Sequence, residues 1–382
     1  MLNREVIDAF GEMNIAFDDV FIRYAKGKII IKREECVMKK NLIYLVVLMI
    51  TMLGSVVYAA DSKHDLVDAH LHFVDFAQNT DGVDALISCM DNAGVTDAVM
   101  FGLPVTKIWG EYEKKQPVHS LDAETRMYWD SKTDYIVAGA YLKATPEQQK
   151  KLHPFLCGIN TVDKNSLQQV KRLIQIYPGT WQGIGEVFAH HDYISYMTAG
   201  EIPRPDSAAL MEVYKFAGEY GMPVIIHTNI TSGSNTTPLY MDQLMNAVKA
   251  NPKTKFVWAH IGISNDLDVN GLAGIIMDQL KMYPNLSVDL SWLVFDNIIA
   301  PKGVLNKAWI PVIKTYPDRF TIGTDIVGRF LPQDKYYATI HKYDVLLDAL
   351  PADIAQKVAH DNFLNLLPPT GIVLKDKDRI QM

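Results

Sequence analysis

Between residues 66 and 323 the chain carries eight short apolar runs rich in β-branched residues, separated by amphipathic stretches of helical period. The runs cover 66–73, 98–102, 154–159, 182–187, 223–227, 255–260, 286–290 and 320–323, and the clearest helical stretches cover 167–177, 207–220, 241–250 and 266–283. Helical stretches stop at breaker pairs: Tyr177-Pro178, Tyr220-Gly221, Asn251-Pro252, Tyr283-Pro284 and Tyr316-Pro317. Strands apolar on both faces must be covered on both, so this alternation predicts a parallel sheet wrapped in helices. Eight repeats in about 320 residues fit a closed α/β barrel, of the (β/α)8 TIM type, better than an open sheet. No Gly-x-Gly-x-x-Gly follows the first run, which argues against a dinucleotide-binding fold.

The connection over 103–153 is unusually long and includes Trp109, Lys114, Lys115 and a helical stretch ending in Lys150-Lys151. Insertions at the carboxyl ends of barrel strands shape or cover a site. No repeat, low-complexity tract or linker divides the region, so residues 61–382 read as one catalytic domain.

Upstream, residues 41–60 carry no charge, and Lys39-Lys40 precede this run while Val57-Tyr58-Ala59-Ala60 close it. A basic start, an apolar middle and small residues at the end read as a secretory signal peptide over 38–60, beginning at Met38. Residues 1–37 then form an upstream extension outside the fold. Cleavage near Ala60 gives an exported protein, periplasmic or extracellular, without stable membrane association; left uncleaved, the same run would be a membrane anchor. The leader holds 8 of the 37 basic and 7 of the 44 acidic residues, leaving 29 and 37 and a mature net charge of −8. That balance argues against a nucleic-acid partner. Of Cys36, Cys89 and Cys157, only the last two remain, in apolar stretches that suit buried thiols.

Polar residues stand at the ends of five apolar runs. They are His70 and His72 in Asp68-Ala69-His70-Leu71-His72, Glu186 after Gly183-Ile184-Gly185, His227 after Val224-Ile225-Ile226, His260 after Val257-Trp258-Ala259, and Asp325 after Ile322-Gly323-Thr324. Residues i and i+2 of a strand share a face, so His70 and His72 project together. In a barrel all these ends meet at the face where active sites lie. Four imidazoles and two carboxylates make a poor core and a good metal site, and nitrogen and oxygen donors without cysteine suit Zn²⁺, Mn²⁺ or another first-row divalent ion. A single strand histidine is ordinarily structural; the ordered set carries the reading. Glu186 could instead hold a neighbouring histidine.

These motifs, with Gly185-Glu186 and Gly323-Thr324-Asp325, resemble the amidohydrolase superfamily in its amidohydrolase-related (family 2) branch, which includes aminocarboxymuconate-semialdehyde decarboxylase. The segment from His360 to Leu367 resembles that family's closing helix, and the likeness spans almost all of 65–370. The resemblance implies that His70, His72, His227 and Asp325 bind the metal. It implies that His260 orients water, polarises the substrate or binds a second ion, and that Glu186 bridges two ions where two are present. One ion is expected, zinc ahead of manganese, with Glu186 keeping a second open. The resemblance also suggests a homodimer.

The implied chemistry is a metal-dependent hydrolase acting with activated water on an amide, lactone or ester of a small organic substrate. Asp325 would carry the proton and His260 would help stabilise the oxyanion. A non-oxidative decarboxylase of a small aromatic or unsaturated acid would use the same ligands plus a cation for the carboxylate, for which Arg329 is the candidate. A catalytically inactive exported metal-binding barrel is the alternative of another class. TatD-type deoxyribonucleases share the His-x-His pair and the strand-four Glu, but the acidic charge argues against DNA. Substrate contacts are expected from His190 beside His191, from Trp292 near Phe295, and from Thr228 and Asn229.

Overall fold

The computed structural model describes residues 64–381, apart from 111–113, 120, 122–124, 130 and 266, together with three strands between residues 13 and 33. The chain divides into two compact units, 1–58 and 59–382. The expected signal segment, 38–60, lies outside the described residues. In the first unit Met13–Phe17, Val20–Ala25 and Lys28–Arg33 form an antiparallel meander, with Phe17 opposite Val20 and Ala25 opposite Lys28. Only two residues separate the strands in each case, which fixes hairpin register. The sequence reading assigned no element here. The missed signal is Lys26-Gly27 between two apolar runs.

The second unit carries eight parallel strands: β1 (Leu66–Asp68), β2 (Val95–Met100), β3 (Leu152–Leu156), β4 (Gly183–Phe188), β5 (Val224–His227), β6 (Phe256–Trp258), β7 (Leu286–Asp289) and β8 (Phe320–Thr321). Each pairs with the next in chain order. The ends also meet: the Ala69 amide donates to the Ile322 carbonyl at 3.0 Å, the Asp325 amide to His70 at 2.8 Å and the His72 amide to Ile326 at 3.0 Å. The sheet therefore closes on itself as the expected (β/α)8 barrel. Every residue of β4 and of β5 is buried, as a sheet covered on both faces requires.

The crossover helices follow local chemistry. Helix Ala208–Tyr220 starts where the Ser207 hydroxyl accepts the Leu210 amide and stops at Gly221 in the left-handed region (φ 69°). Its buried face, Leu210, Val213, Tyr214 and Ala217, packs on the barrel. In the long insertion, Thr106–Lys107 pairs antiparallel with Met127–Tyr128, and helices Thr133–Lys143 and Pro146–Lys151 lead into β3. Thr145 and Gln148 form a reciprocal capping box at the start of the second helix. Cys89 and Cys157 are buried free thiols. Among the described residues no helix is long and apolar enough to cross a membrane.

Candidate metal centre

Two glycines let the strand ends approach closely. A Cβ on Gly323 would lie 2.4 Å from the His70 amide nitrogen, and one on Gly185 would lie 2.7 Å from the Ile225 carbonyl oxygen. Any other residue would push β8 from the loop after β1, or β4 from β5. His260, Trp292 and Asp325 take φ values of 52°, 60° and 53°, a region that costs non-glycine residues free energy and that clusters at functional sites.

The six residues named from the sequence meet around Glu186. Glu186 Oε2 lies 3.2 Å from His72 Nε2 and 3.5 Å from His70 Nε2, while Oε1 lies 2.9 Å from His227 Nδ1 and 3.4 Å from His260 Nε2. Asp325 Oδ1 stands 3.2 Å from His72 Nε2 and 3.5 Å from His70 Nε2, and its Oδ2 is 3.9 Å from His260 Nε2. All are buried except Asp325, whose side chain keeps 11 % exposure.

The outer nitrogen of each ring faces an acceptor. His72 Nδ1 lies 2.6 Å from the Gly102 carbonyl, His70 Nδ1 2.9 Å from Asp289 Oδ2, and His260 Nδ1 3.1 Å from the Ser291 carbonyl. His227 Nε2 lies 3.2 Å from Asn229 Oδ1, whose amide nitrogen donates to Asp192. Carbonyl and carboxylate oxygens only accept, so each outer nitrogen carries the proton. In their neutral form the rings would present four lone pairs inward, toward two carboxylates. His70 Nε2 is fully buried with no hydrogen-bond partner.

Such a set is repulsive unless positive charge occupies it, as protons or as a cation. Burial opposes a charged His70 ring, yet Glu186 and Asp289 hold its pKa well above the usual value; burial likewise opposes His72, but Asp325 and Glu186 raise it to about 9. Burial would raise the carboxyl of Glu186, whereas His70 and His227 hold it well below the usual range. Donor atoms lie within 4.8 Å of one another in three sets: His70, His72 and Glu186; Glu186, His227 and His260; and His70, His260 and Asp325. The residues fit a divalent cation, and the first two sets share Glu186.

Trp292, partly exposed, borders this cluster, its ring 5.1 Å from that of His260 and 6.2 Å from that of His227. His190 instead stacks on Tyr240 at 4.0 Å and meets Gln243 Oε1 at 2.8 Å. Its neighbour His191 is buried, lies parallel over His227 at 4.1 Å, and leaves Nδ1 without a partner. Arg329 pairs with Asp75 at 3.2 Å and with Asp81 at 3.1 Å. Phe295 is buried against Tyr343. Thr228 is buried, and its carbonyl accepts the Trp258 indole N–H at 2.8 Å.

Sequence reasoning missed Asp289, although an acid at the end of the apolar run 286–290 is the same signal that marked Glu186. It also left Asp68 unassigned. That buried carboxyl accepts the Thr324 amide at 2.8 Å, the Thr324 hydroxyl at 2.7 Å and the Tyr336 hydroxyl at 3.0 Å, tying β1 to the turn that carries Asp325. Burial raises its pKa to about 6 against those hydrogen bonds.

Fold and site together define a (β/α)8 barrel with a histidine–carboxylate centre suited to a divalent metal. Residues 196–368, which carry His227, His260 and Asp325, match the family model described as amidohydrolase. No curated protein matches the chain. Solved structures similar to it include an uncharacterized TIM-barrel protein from Bordetella bronchiseptica (15% identity, 79% of this chain and 98% of that one, TM-score 0.48). Others are an amidohydrolase from Burkholderia multivorans with bound zinc (12%, 80% and 100%, 0.48) and 2,6-dihydroxybenzoate decarboxylase from Rhizobium (10%, 79% and 98%, 0.46).

Proposed function

We propose that the protein is a metal-dependent hydrolase that cleaves an amide, lactone or ester bond of a small organic substrate. One observation carries the reading: four imidazoles turn a ring nitrogen onto Glu186 and Asp325, an arrangement with no purpose in a core. His70, His72 and Asp325 would hold one divalent ion, with His227 and His260 holding a second, and Glu186 would bridge them. The shared carboxylate supports two ions where the family resemblance implied one. A divalent cation so bound brings the pKa of water to about 7 and polarises a carbonyl.

The protein's own groups supply the rest. Asp325 is the least buried of the six, and its Oδ2 is the carboxylate oxygen farthest from any imidazole, so it accepts the proton of the attacking water and returns it to the leaving group. Trp292 and His191 flank the ligand histidines and frame the substrate, His191 with an unengaged Nδ1. Decarboxylation would need a cation for the substrate carboxylate, and Arg329 already faces two aspartates. We also propose export, on the charge-free run 41–60, with a mature amino terminus near Ala60 or Asp61.

The test is elemental analysis of protein expressed without residues 1–60, followed by assays on esters, lactones and amides before and after chelation. Two zinc or manganese ions per chain with chelator-sensitive hydrolysis are expected. Full activity after complete metal removal contradicts the proposal, and CO₂ release without net hydration replaces it with decarboxylation. Bound metal with no turnover across that panel and aromatic acids leaves an inactive metal-binding barrel.

A further inference from the structure

We infer that Asp289 is a positioning residue that sets the protonation geometry of two ligand histidines at once, one from each side of the Glu186 bridge. The inference rests on the metal reading above. A carboxylate at the end of β7, only 1 % exposed, is costly unless its oxygens are fully engaged. They are. Oδ2 lies 2.9 Å from His70 Nδ1 and accepts the Ser291 hydroxyl, and Oδ1 accepts the Ser291 amide at 3.1 Å. The His260 amide points at Oδ2 from 3.4 Å.

Proton counting gives the direction of each bond. A carboxylate has no proton to give, so His70 Nδ1 must be the donor, and its Nε2 keeps the lone pair that faces the cluster. Ser291 has one hydroxyl proton, which goes to Asp289. Its Oγ can then only accept from His260 Nδ1, 2.9 Å away, and the Ser291 carbonyl reinforces the same direction at 3.1 Å. His260 Nε2 is thereby also left as a lone pair facing inward. His70 belongs to the set with His72, His260 to the set with His227, and both to the set with Asp325. One buried carboxylate, directly and through one hydroxyl, therefore orients a donor in each set. Outer partners of this kind are worth 10–100-fold in metal affinity.

The experiment compares wild type, Asp289→Asn and Ser291→Ala, prepared metal-free, by chelator-competition titration with Zn²⁺ and Co²⁺, by the visible Co²⁺ spectrum, and by metal-free unfolding midpoint. An asparagine at 289 has a single acceptor oxygen and cannot satisfy both His70 and the Ser291 amide. Asp289→Asn should weaken binding of both metals about 10–100-fold and alter the Co²⁺ spectrum. Ser291→Ala, which removes the hydroxyl link between Asp289 and His260 but keeps the residue-291 carbonyl as an acceptor for His260 Nδ1, should cost less, about three- to tenfold, and should alter the spectrum in the same sense. Affinity within twofold of wild type and an unchanged Co²⁺ spectrum in Asp289→Asn would overturn the inference while leaving the hydrolase reading intact. If Asp289→Asn does not fold, the same result in Ser291→Ala overturns it. Wild-type protein that binds neither metal overturns the metal reading and this inference with it.

Discussion

Glu186 Oε1 lies 2.9 Å from His227 Nδ1, while the far nitrogen of the same ring lies 3.2 Å from Asn229 Oδ1. The imidazole is thus held between a group that can share a cation with it and a group that can only take its proton. Glu186 is in turn the one residue common to the His70–His72 and His227–His260 donor sets. Replacing it by glutamine keeps the shape and removes the charge. Glu186→Gln should bind at most one ion per chain and lose at least about 100-fold in kcat/KM, roughly 3 kcal/mol of transition-state stabilisation. Elemental analysis beside steady-state kinetics checks both; two retained ions would remove Glu186 from the bridging position.

Metal uptake should release protons. In the cation-free cluster His72 titrates near 9, raised by Asp325 and Glu186 against burial, so at pH 7 the ring is charged and must deprotonate to become a ligand. Metal affinity should rise with pH toward 9. The metal-free protein should behave oppositely: a histidine pKa raised above 6.5 contributes stability in full below that pH and loses it as pH rises toward 9. Calorimetric titration in buffers of different ionisation enthalpy measures the protons; a count of zero at pH 7 contradicts the picture.

Arg329 links two acids on the loop after β1, and Asp75 is fully buried with its other oxygen accepting the Ala77 and Asn79 amides at 2.8 and 2.9 Å. Arg329→Met should lower stability by about 2 kcal/mol, because a buried carboxylate loses a charged partner that is itself partly exposed. Under the hydrolase reading kcat/KM should change only a few-fold. A loss of 100-fold or more confined to carboxylate-bearing substrates would instead assign Arg329 to substrate binding.

Asp134 supplies a pH dependence from outside the cluster. Burial pushes its pKa up to about 6 against the Cys157 and Gly158 amides, which it accepts at 2.8 and 3.0 Å. A carboxyl whose folded pKa exceeds its unfolded value of 3.8 favours folding most while protonated, and that contribution is lost as pH rises through 6. Relative to Asp134→Asn, the wild type should lose about 2 kcal/mol of stability between pH 4 and pH 7. Urea unfolding at the two pH values tests it, and parallel profiles would refute it.

The barrel was legible because its strands are apolar on both faces and its helices end at clear breakers, as at Tyr220-Gly221. His70, His72, Glu186, His227, His260 and Asp325 stood out as polar residues that such strands do not otherwise tolerate. What local pattern could not supply was partnership at a distance. Asp289 stands 219 residues from His70, and Asp81 stands 248 from Arg329. Nor does sequence say which of two adjacent histidines faces inward. Helix Asp192–Met197 starts directly after them, with His190 against Tyr240 and His191 over His227.

Gly323 allows the last strand to close against the His70 backbone, so the seam of the barrel and one wall of the metal centre are the same place. A nascent chain that has left the ribosome only as far as residue 319 already owns all four histidines and Glu186, but neither β8 nor Asp325. Under the metal reading, tight capture of an ion would wait for the final strand, and metal loading would report that the barrel has closed.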